Sequence, residues 1–231
     1  TIAGIKIYPA TATTTINGSN KELKIYPKAS AKTKTRQRNA VAYSAKTDTI
    51  YVNGRFYTGI YTYDQMEYGA NNKNGIEKIE LFVDDSLFHT FQVSSFLFEE
   101  TRAINAIIDY REYQRKHEYY ILSRRLRGDP TCFNSVAHDY GYLLFDDQRA
   151  HKLHYRVSDY KGNTTSRTFF VRNNGTTTTS PANSSHSLTL SGEHVVYYKP
   201  YHLVREDFTM NMEAHNIYEN DEVIYRTTTK S

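Results

Sequence analysis

Apolar and polar residues alternate along several short segments of the chain, and each segment ends in turn-forming residues. In the clearest segment the alternating apolar residues are Leu153, Tyr155 and Val157. The turn sequence at 159–163 follows, and residues 164–172 show the alternation again. A period of two is that of a β-strand with one buried face. The sequence therefore predicts a hairpin with Lys152 and Arg156 exposed, a positive φ at Gly162, and these residues facing inward: Leu153, Tyr155, Val157, Phe169 and Val171.

Three further hairpins are predicted from the same signals. Residues 78–83 alternate in the same way, and the turn at 84–86 leads into a second β-like run at 87–93. Upstream, Asn17-Gly18 and Asn53-Gly54 each lie between β-rich runs. Asn-Gly readily supplies the two positive-φ residues of a type I′ turn, so each pair predicts a hairpin.

One segment departs from the β pattern. Between Glu99 and Lys116, four apolar residues follow helical spacing: Ala103, Ile104, Ile107 and Ile108. Acidic residues open the segment and basic residues close it, as the helix dipole favours. The sequence predicts one helix inserted among the strands.

The order of these segments predicts four regions in an all-β chain. We expect an N-terminal β segment with a basic loop at 1–44 and the main β-sandwich at 45–172. A Thr/Ser-rich linker follows at 173–185, and a partial second β module at 186–231 has β signals at these runs: 195–198, 208–212 and 223–225. With 39% hydrophobic residues, 21 Tyr and 11 Phe, the chain can fill such cores.

Composition and motifs restrict the chemistry of the chain. The net charge of +4 is spread along the sequence, whereas nucleic-acid binders usually concentrate their basic residues, so we expect no nucleic-acid partner. No stretch reaches the roughly 20 apolar residues of a membrane span. One cysteine, Cys132, excludes an internal disulfide. His151 and His154 are three apart on a predicted strand and so face opposite sides. We predict no catalytic residue, no metal ligand and no cofactor in this chain.

The predicted partner-binding residues lie after the helix. They combine two tyrosines with a basic run: Tyr119, Tyr120, Arg124, Arg125 and Arg127. Tyrosines and arginines in combination can bind an acidic glycan or the surface of a partner protein. The alternative is a solvated loop, with the tyrosines in the core. Tyr197-Tyr198 offers a second tyrosine cluster with the same two interpretations.

Several of these segments resemble known bacterial families. Residues 157–164 are similar to the sequence that ends many bacterial immunoglobulin-like modules, and residues 75–84 resemble a strand of the same modules. Together with residues 95–110, the latter strand resembles the region downstream of the catalytic domain in lysostaphin-type (LytM-like) zinc metallopeptidases of Gram-negative envelopes. Those enzymes cut peptidoglycan cross-links. The resemblance covers residues 1–172.

The resemblance implies a fold for this chain and a catalytic site outside it. The fold implied is an immunoglobulin-like β-sandwich with one inserted helix, followed by a second, small or incomplete β module. The catalytic zinc site of the family uses an H-x-x-x-D pair and an H-x-H pair, and neither occurs in this sequence. Zinc is therefore expected only in a catalytic domain outside this chain.

The resulting functional hypothesis is a non-catalytic segment of an envelope LytM-like metallopeptidase that positions or docks the catalytic domain. The expected location is extracytoplasmic, in the periplasm or at the cell surface. The expected partners are that catalytic domain, cell-wall glycan or an envelope protein. The alternative is a stand-alone cell-surface adhesion or glycan-binding β-sandwich. A third hypothesis, an enzyme with an unrecognised site, predicts hydrolysis by this chain alone.

Overall fold

The computed structural model describes these residues: 1–25, 49–65, 73–93, 95, 98, 103–129, 133–175, 193–206 and 208–224. The chain divides into two compact units. The first contains Thr1–Arg125 and Thr131–Thr177, and the second contains Leu126–Pro130 and Thr178–Ser231. Strand is by far the commonest regular structure among the described residues, which confirms the all-β prediction.

The first unit contains a four-stranded antiparallel sheet. Its strands are β1 (Ile2–Pro9), β3 (Leu23–Ile25), β5 (Phe56–Thr62) and β8 (Tyr120–Leu122). They lie in the order β3-β1-β5-β8. The N-terminal strand β1 thus lies inside the sheet, between two partners.

A seven-stranded sheet completes this unit. Its strands are β2 (Thr15–Ile16), β4 (Ile50–Asn53), β6 (Lys78–Val83), β7 (Ser86–Gln92), β9 (Asn134–Ala137), β10 (Ala150–Ser158) and β11 (Thr164–Arg172). The order is β2-β4-β11-β10-β6-β7-β9. Neighbours are antiparallel except β4 and β11, which pair in parallel.

Both sheets contribute to one hydrophobic core. Its fully buried members include Ile5, Ile7, Ile60, Leu81, Leu153 and Val171. Burying each such side chain stabilises the fold by about 1.5–3 kcal/mol. The alternate residues of β1, β6 and β10 supply much of this core, as a period of two requires.

The β10–β11 hairpin confirms the clearest prediction. Leu153 lies opposite Phe169, and the pairing runs from Ala150–Arg172 to Ser158–Thr164. All five residues predicted to face inward are buried. In the turn, the Asp159 carboxylate accepts hydrogen bonds from the backbone N–H groups at 161 and 163, and Gly162 has φ +80°.

The β6–β7 hairpin is also confirmed. Asp84 and Asp85 form its turn, with φ values of +48° and +67°. A register shift between Leu81 and Phe82 interrupts the alternation. Glu80 alternates with the apolar Ile79 and Leu81, but it is also buried and pairs with Lys78 and Arg156.

Asn17-Gly18 forms the predicted turn, but β2 and β3 on either side of it belong to different sheets, so the predicted hairpin is limited to the Ile16–Ser19 bridge. Asn17 and Gly18 form a tight turn with φ +49° and +81°, closed by hydrogen bonds between Ile16 and Ser19. The Asn53-Gly54 hairpin is wrong, because β4 and β5 on either side belong to different sheets. Gly54 instead allows the chain to cross close to Thr14, whose Oγ1 would lie 2.9 Å from a Cβ at this position.

The single predicted helix is two short helices, α1 (Ile104–Ile107) and α2 (Tyr110–Lys116). Between them Ile108 is extended, with φ −104° and ψ 161°, and forms a β-bridge to Ile121. Asp109 then starts α2, where its side chain accepts a hydrogen bond from the Glu112 N–H at 3.0 Å. The start of the predicted helix, 99–102, lies outside the described residues.

The second unit contains β12 (Glu193–Val195), β13 (Tyr201–Val204), β14 (Thr209–Met212) and β15 (Asp221–Val223). β12 pairs with β15 and β13 with β14, both antiparallel. The strand predicted at 195–198 is wrong beyond Val195, because Val196 begins a turn closed by the Lys199 N–H. The expected boundary at residue 44 and most of the expected linker lie outside the described residues. Among the described residues, no helix has the length and apolar character needed to cross a membrane.

Candidate functional site

Helix α2 is held on the four-stranded sheet by a buried cluster of charged groups. Along β1, Ile5 and Ile7 enter the core, so Lys6 and Tyr8 lie on the other face. Lys6 Nζ lies 3.0 Å from Asp109 Oδ2 and 3.0 Å from Glu112 Oε2. The Tyr8 hydroxyl donates to Asp109 Oδ2 at 2.8 Å.

Two further lysines complete this cluster. Lys116 and Lys24 lie 2.9 Å and 3.6 Å from Glu112 Oε1, and Lys24 also pairs with Glu118. The Lys6 and Lys24 ammonium groups each lie 5.1 Å from the centre of the Tyr120 ring. Positive and negative charges are thus matched around the buried Glu112, as burial of ion pairs requires.

The pKa values indicate a structural role for the cluster. Burial alone would raise the pKa of Glu112, but the hydrogen bonds from Lys116 and Lys6 outweigh it and lower the pKa to about 2. The pKa of Asp109 is also lowered, because hydrogen bonds from the Glu112 N–H, Lys6 and Tyr8 outweigh the effect of burial. Burial and the Asp109 charge raise the pKa of Tyr8. At neutral pH the charges and hydrogen-bond directions are therefore fixed.

Two glycines make room for the large side chains on this face. A Cβ at Gly4 would lie 2.6 Å from the Tyr120 hydroxyl oxygen. A Cβ at Gly59 would lie 3.0 Å from Leu122 and 3.1 Å from the Tyr8 ring. The sheet can thus carry a lysine and tyrosine layer beneath α2.

The outward side of α2 carries a run of aromatic rings. Tyr110, Tyr113 and His117 follow the i, i+3, i+7 spacing of one helix face. Ring centres are 6.2 Å apart for Tyr110–Tyr113 and 5.6 Å for Tyr113–His117. Tyr119 continues the run, 4.4 Å from Tyr113. Tyr110 and Tyr119, at its two ends, are each 48% exposed.

Two arginines lie on a different face of α2 from these rings, because residues one or two positions apart on a helix do not face each other. Arg111 and Arg115 are exposed and one helical turn apart. Within the part of the chain that the structure describes, their side chains make no hydrogen bond, ion pair or ring contact. Glu112 and Glu118 already pair with lysines. We call the run of rings the α2 strip, and it consists of Tyr110, Tyr113, His117 and Tyr119.

The five residues predicted to bind a partner differ in their burial. Tyr119 belongs to the α2 strip, but its neighbour Tyr120 is fully buried in β8. Arg124 is half-buried, with its guanidinium 5.2 Å from the Tyr57 ring. Arg125 is half-buried as well, and Arg127 is an exposed residue of the second unit. Of the two tyrosines, only Tyr119 therefore has its side chain at the surface, where it lies against Tyr113 of α2.

The second tyrosine cluster lies in the second unit. The rings of Tyr197 and Tyr198 are 5.2 Å apart and nearly perpendicular, and Tyr198 is 53% exposed. This pair is smaller than the α2 strip.

His151 is a buried link between two carboxylates. Its Nδ1 lies 2.7 Å from Asp84 Oδ2 and its Nε2 lies 2.8 Å from Asp147 Oδ1. The two carboxylates contact different nitrogens of the imidazole ring. His151 and both carboxylates therefore cannot bind one metal ion together. His154 instead bonds Thr168 on the other face of the strand. The described residues contain no group of three side chains arranged to hold a metal.

Apart from Tyr119, the residues of the α2 strip are not among those predicted from the sequence to bind a partner. The sequence does contain an indication of this surface, because Tyr110, Tyr113 and His117 are spaced by about one helical turn. The apolar spacing that predicts the helix comes from isoleucines in and just after α1, so it does not indicate which face of α2 is exposed.

Comparisons of this chain with protein-family models, curated proteins and solved structures found no match.

Proposed function

We propose that this chain is a non-catalytic docking segment of an envelope LytM-like metallopeptidase, built as an immunoglobulin-like β-sandwich, and that it attaches to peptidoglycan through the α2 strip. The two sheets with a common core support the sandwich. The extracytoplasmic location and the link to a catalytic domain are supported by the sequence resemblance.

The residues that carry this resemblance have scaffold roles. Residues 75–84 contain β6 and the first half of its turn, and residues 157–164 contain the Asp159 turn. Asp109, within 95–110, starts α2 and pairs with Lys6. A segment whose characteristic residues maintain its fold suits a positioning role.

The observation that carries the docking proposal is the α2 strip itself. Aromatic side chains supply large contact areas at a low cost in conformational entropy, and Tyr adds a hydroxyl for hydrogen bonding. Binding surfaces work best on rigid supports. The buried ion pairs between α2 and β1 provide such a support.

Co-sedimentation with purified peptidoglycan sacculi tests the docking proposal. We expect the wild-type chain to pellet with sacculi, and the Tyr110→Ala/Tyr119→Ala double variant to bind about tenfold more weakly, since central aromatic contacts are worth more than about 1.4 kcal/mol. Tyr160→Ala is the matched control, because Tyr160 is 72% exposed on the β10–β11 turn. Wild-type chain left in the supernatant, or an equal loss in Tyr160→Ala, would contradict docking through this surface.

The full coding sequence separates the proposed parent from the alternative. A LytM-like parent requires H-x-x-x-D and H-x-H motifs encoded upstream of Thr1. A signal peptide directly before Thr1 would favour the stand-alone adhesion or glycan-binding protein, which would use the same strip.

A further inference from the structure

Tyr113 and Tyr119 form a close pair of tyrosine rings at the end of α2. Their ring centres are 4.4 Å apart, and the ring planes are tilted by 34°. Aromatic pairs usually have centre separations of about 4.5–7 Å, so these two rings are in direct van der Waals contact. Two other tyrosine pairs of the described residues are farther apart, at 4.9 Å and 5.2 Å.

The chain reversal after α2 brings these two rings together. The His117 N–H donates to the Tyr113 carbonyl oxygen at 2.8 Å, and His117 then ends the helix with a φ of +55°. Glu118 pairs with Lys24, and Tyr119 lies back against Tyr113. The contact is therefore part of the fold of this segment.

The hydroxyl ends of the two rings lie side by side. A hydrogen bond between the hydroxyl groups of Tyr113 and Tyr119 raises the pKa of Tyr119. The ring carbons ortho to each hydroxyl therefore lie close to the other ring as well. Because a tyrosyl radical carries much of its unpaired electron density on these carbons, two radicals held in this way can combine there.

This pair is also open to an oxidant. Tyr119 is 48% exposed, and Tyr113 is half-buried. The stacked rings of Tyr8 and Tyr57 differ from it, because Tyr8 is only 8% exposed and its hydroxyl donates to Asp109. Close contact, neighbouring hydroxyls and exposure thus occur together in the pair at the end of α2.

We propose that Tyr113 and Tyr119 are a site of oxidative modification, at which they form an intrachain dityrosine cross-link. Oxidation removes one electron and one proton from each hydroxyl, and the two radicals form a carbon–carbon bond between their ortho carbons. The hydrogens on those carbons then move to the oxygens and restore both phenols. The oxidant is hydrogen peroxide used by a haem peroxidase, which accepts the two electrons and two protons and yields two molecules of water.

The cross-link joins α2 directly to the residue before β8. It holds the helix on the four-stranded sheet by a covalent bond, in addition to the buried ion pairs of Lys6 with Asp109 and Glu112. The proposal does not depend on docking to peptidoglycan, because it requires only the ring pair and an oxidant.

Oxidation of the purified chain followed by peptide mapping tests the proposal. Hydrogen peroxide and a catalytic amount of a haem peroxidase are added to dilute protein, and the monomer is isolated. We expect the mass of the monomer to fall by two hydrogen atoms and dityrosine fluorescence to appear. Residues 112–115 and 117–124 should form one linked tryptic peptide, although trypsin cleaves after Arg115 and Lys116 and otherwise separates them.

Phenylalanine variants identify the two partners. Tyr113→Phe and Tyr119→Phe keep an aromatic ring at each position but remove the hydroxyl, so we expect the linked peptide to disappear in both variants. Tyr198→Phe is the matched control and should keep it. Tyr198 is 53% exposed and lies 5.2 Å from Tyr197, but those two rings are nearly perpendicular, at 84°.

Oxidation of the unfolded chain separates folded geometry from closeness in sequence. In urea the wild-type chain should form the 113–119 link as a much smaller share of its dityrosine, because the ring contact is lost. An equal share in the folded and unfolded chain would overturn the proposal. So would an oxidised monomer that is linked mainly through other tyrosines or carries no link, or a linked peptide that persists in Tyr119→Phe.

Discussion

Lys6→Met should strongly destabilise the first unit. The Lys6 side chain is only 3% exposed and neutralises two carboxylates, Asp109 and Glu112, at 3.0 Å each. Methionine fills a similar volume but carries no charge. Both carboxylates would then lose one cation while remaining buried beneath α2.

The size of the loss follows from the partners that remain. Removing one member of a buried ion pair costs about 3–5 kcal/mol. Glu112 keeps Lys116 at 2.9 Å, and Asp109 keeps the Tyr8 hydroxyl at 2.8 Å, which places the loss at the lower end, about 3 kcal/mol. With an m-value of about 1.5–3 kcal/mol per M for urea, a loss of about 3 kcal/mol lowers the urea midpoint by about 1–2 M.

The loss should also depend on pH. The folded pKa of Glu112, about 2, is below its unfolded value, so the ionised group stabilises the fold above the unfolded pKa. That contribution disappears as the pH falls through the folded pKa. Without Lys6 the folded pKa moves closer to the unfolded one. The difference in the free energy of unfolding between wild type and Lys6→Met should therefore be smaller at pH 3 than at pH 7.

Urea denaturation at both pH values checks this, with Lys152→Met as the matched control. Lys152 pairs with Asp85 at the exposed hairpin turn, and such pairs contribute about 0–1 kcal/mol. The assigned role of the cluster would be refuted if Lys6→Met lost no more stability than Lys152→Met. It would also be refuted if the stability lost in Lys6→Met were the same at pH 7 and pH 3.

Two further substitutions test the hairpins by thermal denaturation. Arg156→Ala should lower the melting temperature more than Lys152→Ala, because Arg156 donates to the buried Glu80 carboxylate at 2.8 Å; equal shifts would contradict this contact. Gly162→Val should cost about 1–2 kcal/mol through its φ of +80° alone, since a Cβ there meets nothing within 4 Å. Gly75→Val, which also meets nothing but lacks a positive φ, should cost less, and the reverse order would refute the strain argument.

The parts of the fold that the sequence predicts correctly are local. In β6–β7 and β10–β11 the strands and their turn are contiguous, so alternation and turn residues specify the pairing. At Asn53-Gly54 only the glycine has a positive φ, and the local sequence could not reveal that β4 pairs with β11 in place of β5. That choice depends on strands distant in sequence.

Side-chain burial explains the remaining differences. Ile104 and Ile107 have helical spacing, but Ile108 takes an extended conformation to pair with Ile121, which ends the helix early. Tyr119 and Tyr120 are adjacent, yet entry into β8 buries only the second. The spacing of residues indicates which side chains share one face of a helix or strand. Packing against other elements decides which of these faces is exposed.

The parallel pairing of β4 with β11 has a consequence for biosynthesis. Ile50 pairs with Val171 and Tyr51 with Arg172, so β4 leaves the ribosome long before its partner. Until residues 164–172 are made, one edge of β4 and one edge of β10 have unpaired backbone groups, which other chains can bind. During synthesis the chain therefore passes through a stage at which the incomplete sheet is prone to aggregation. This stage ends when β11 is inserted between β4 and β10.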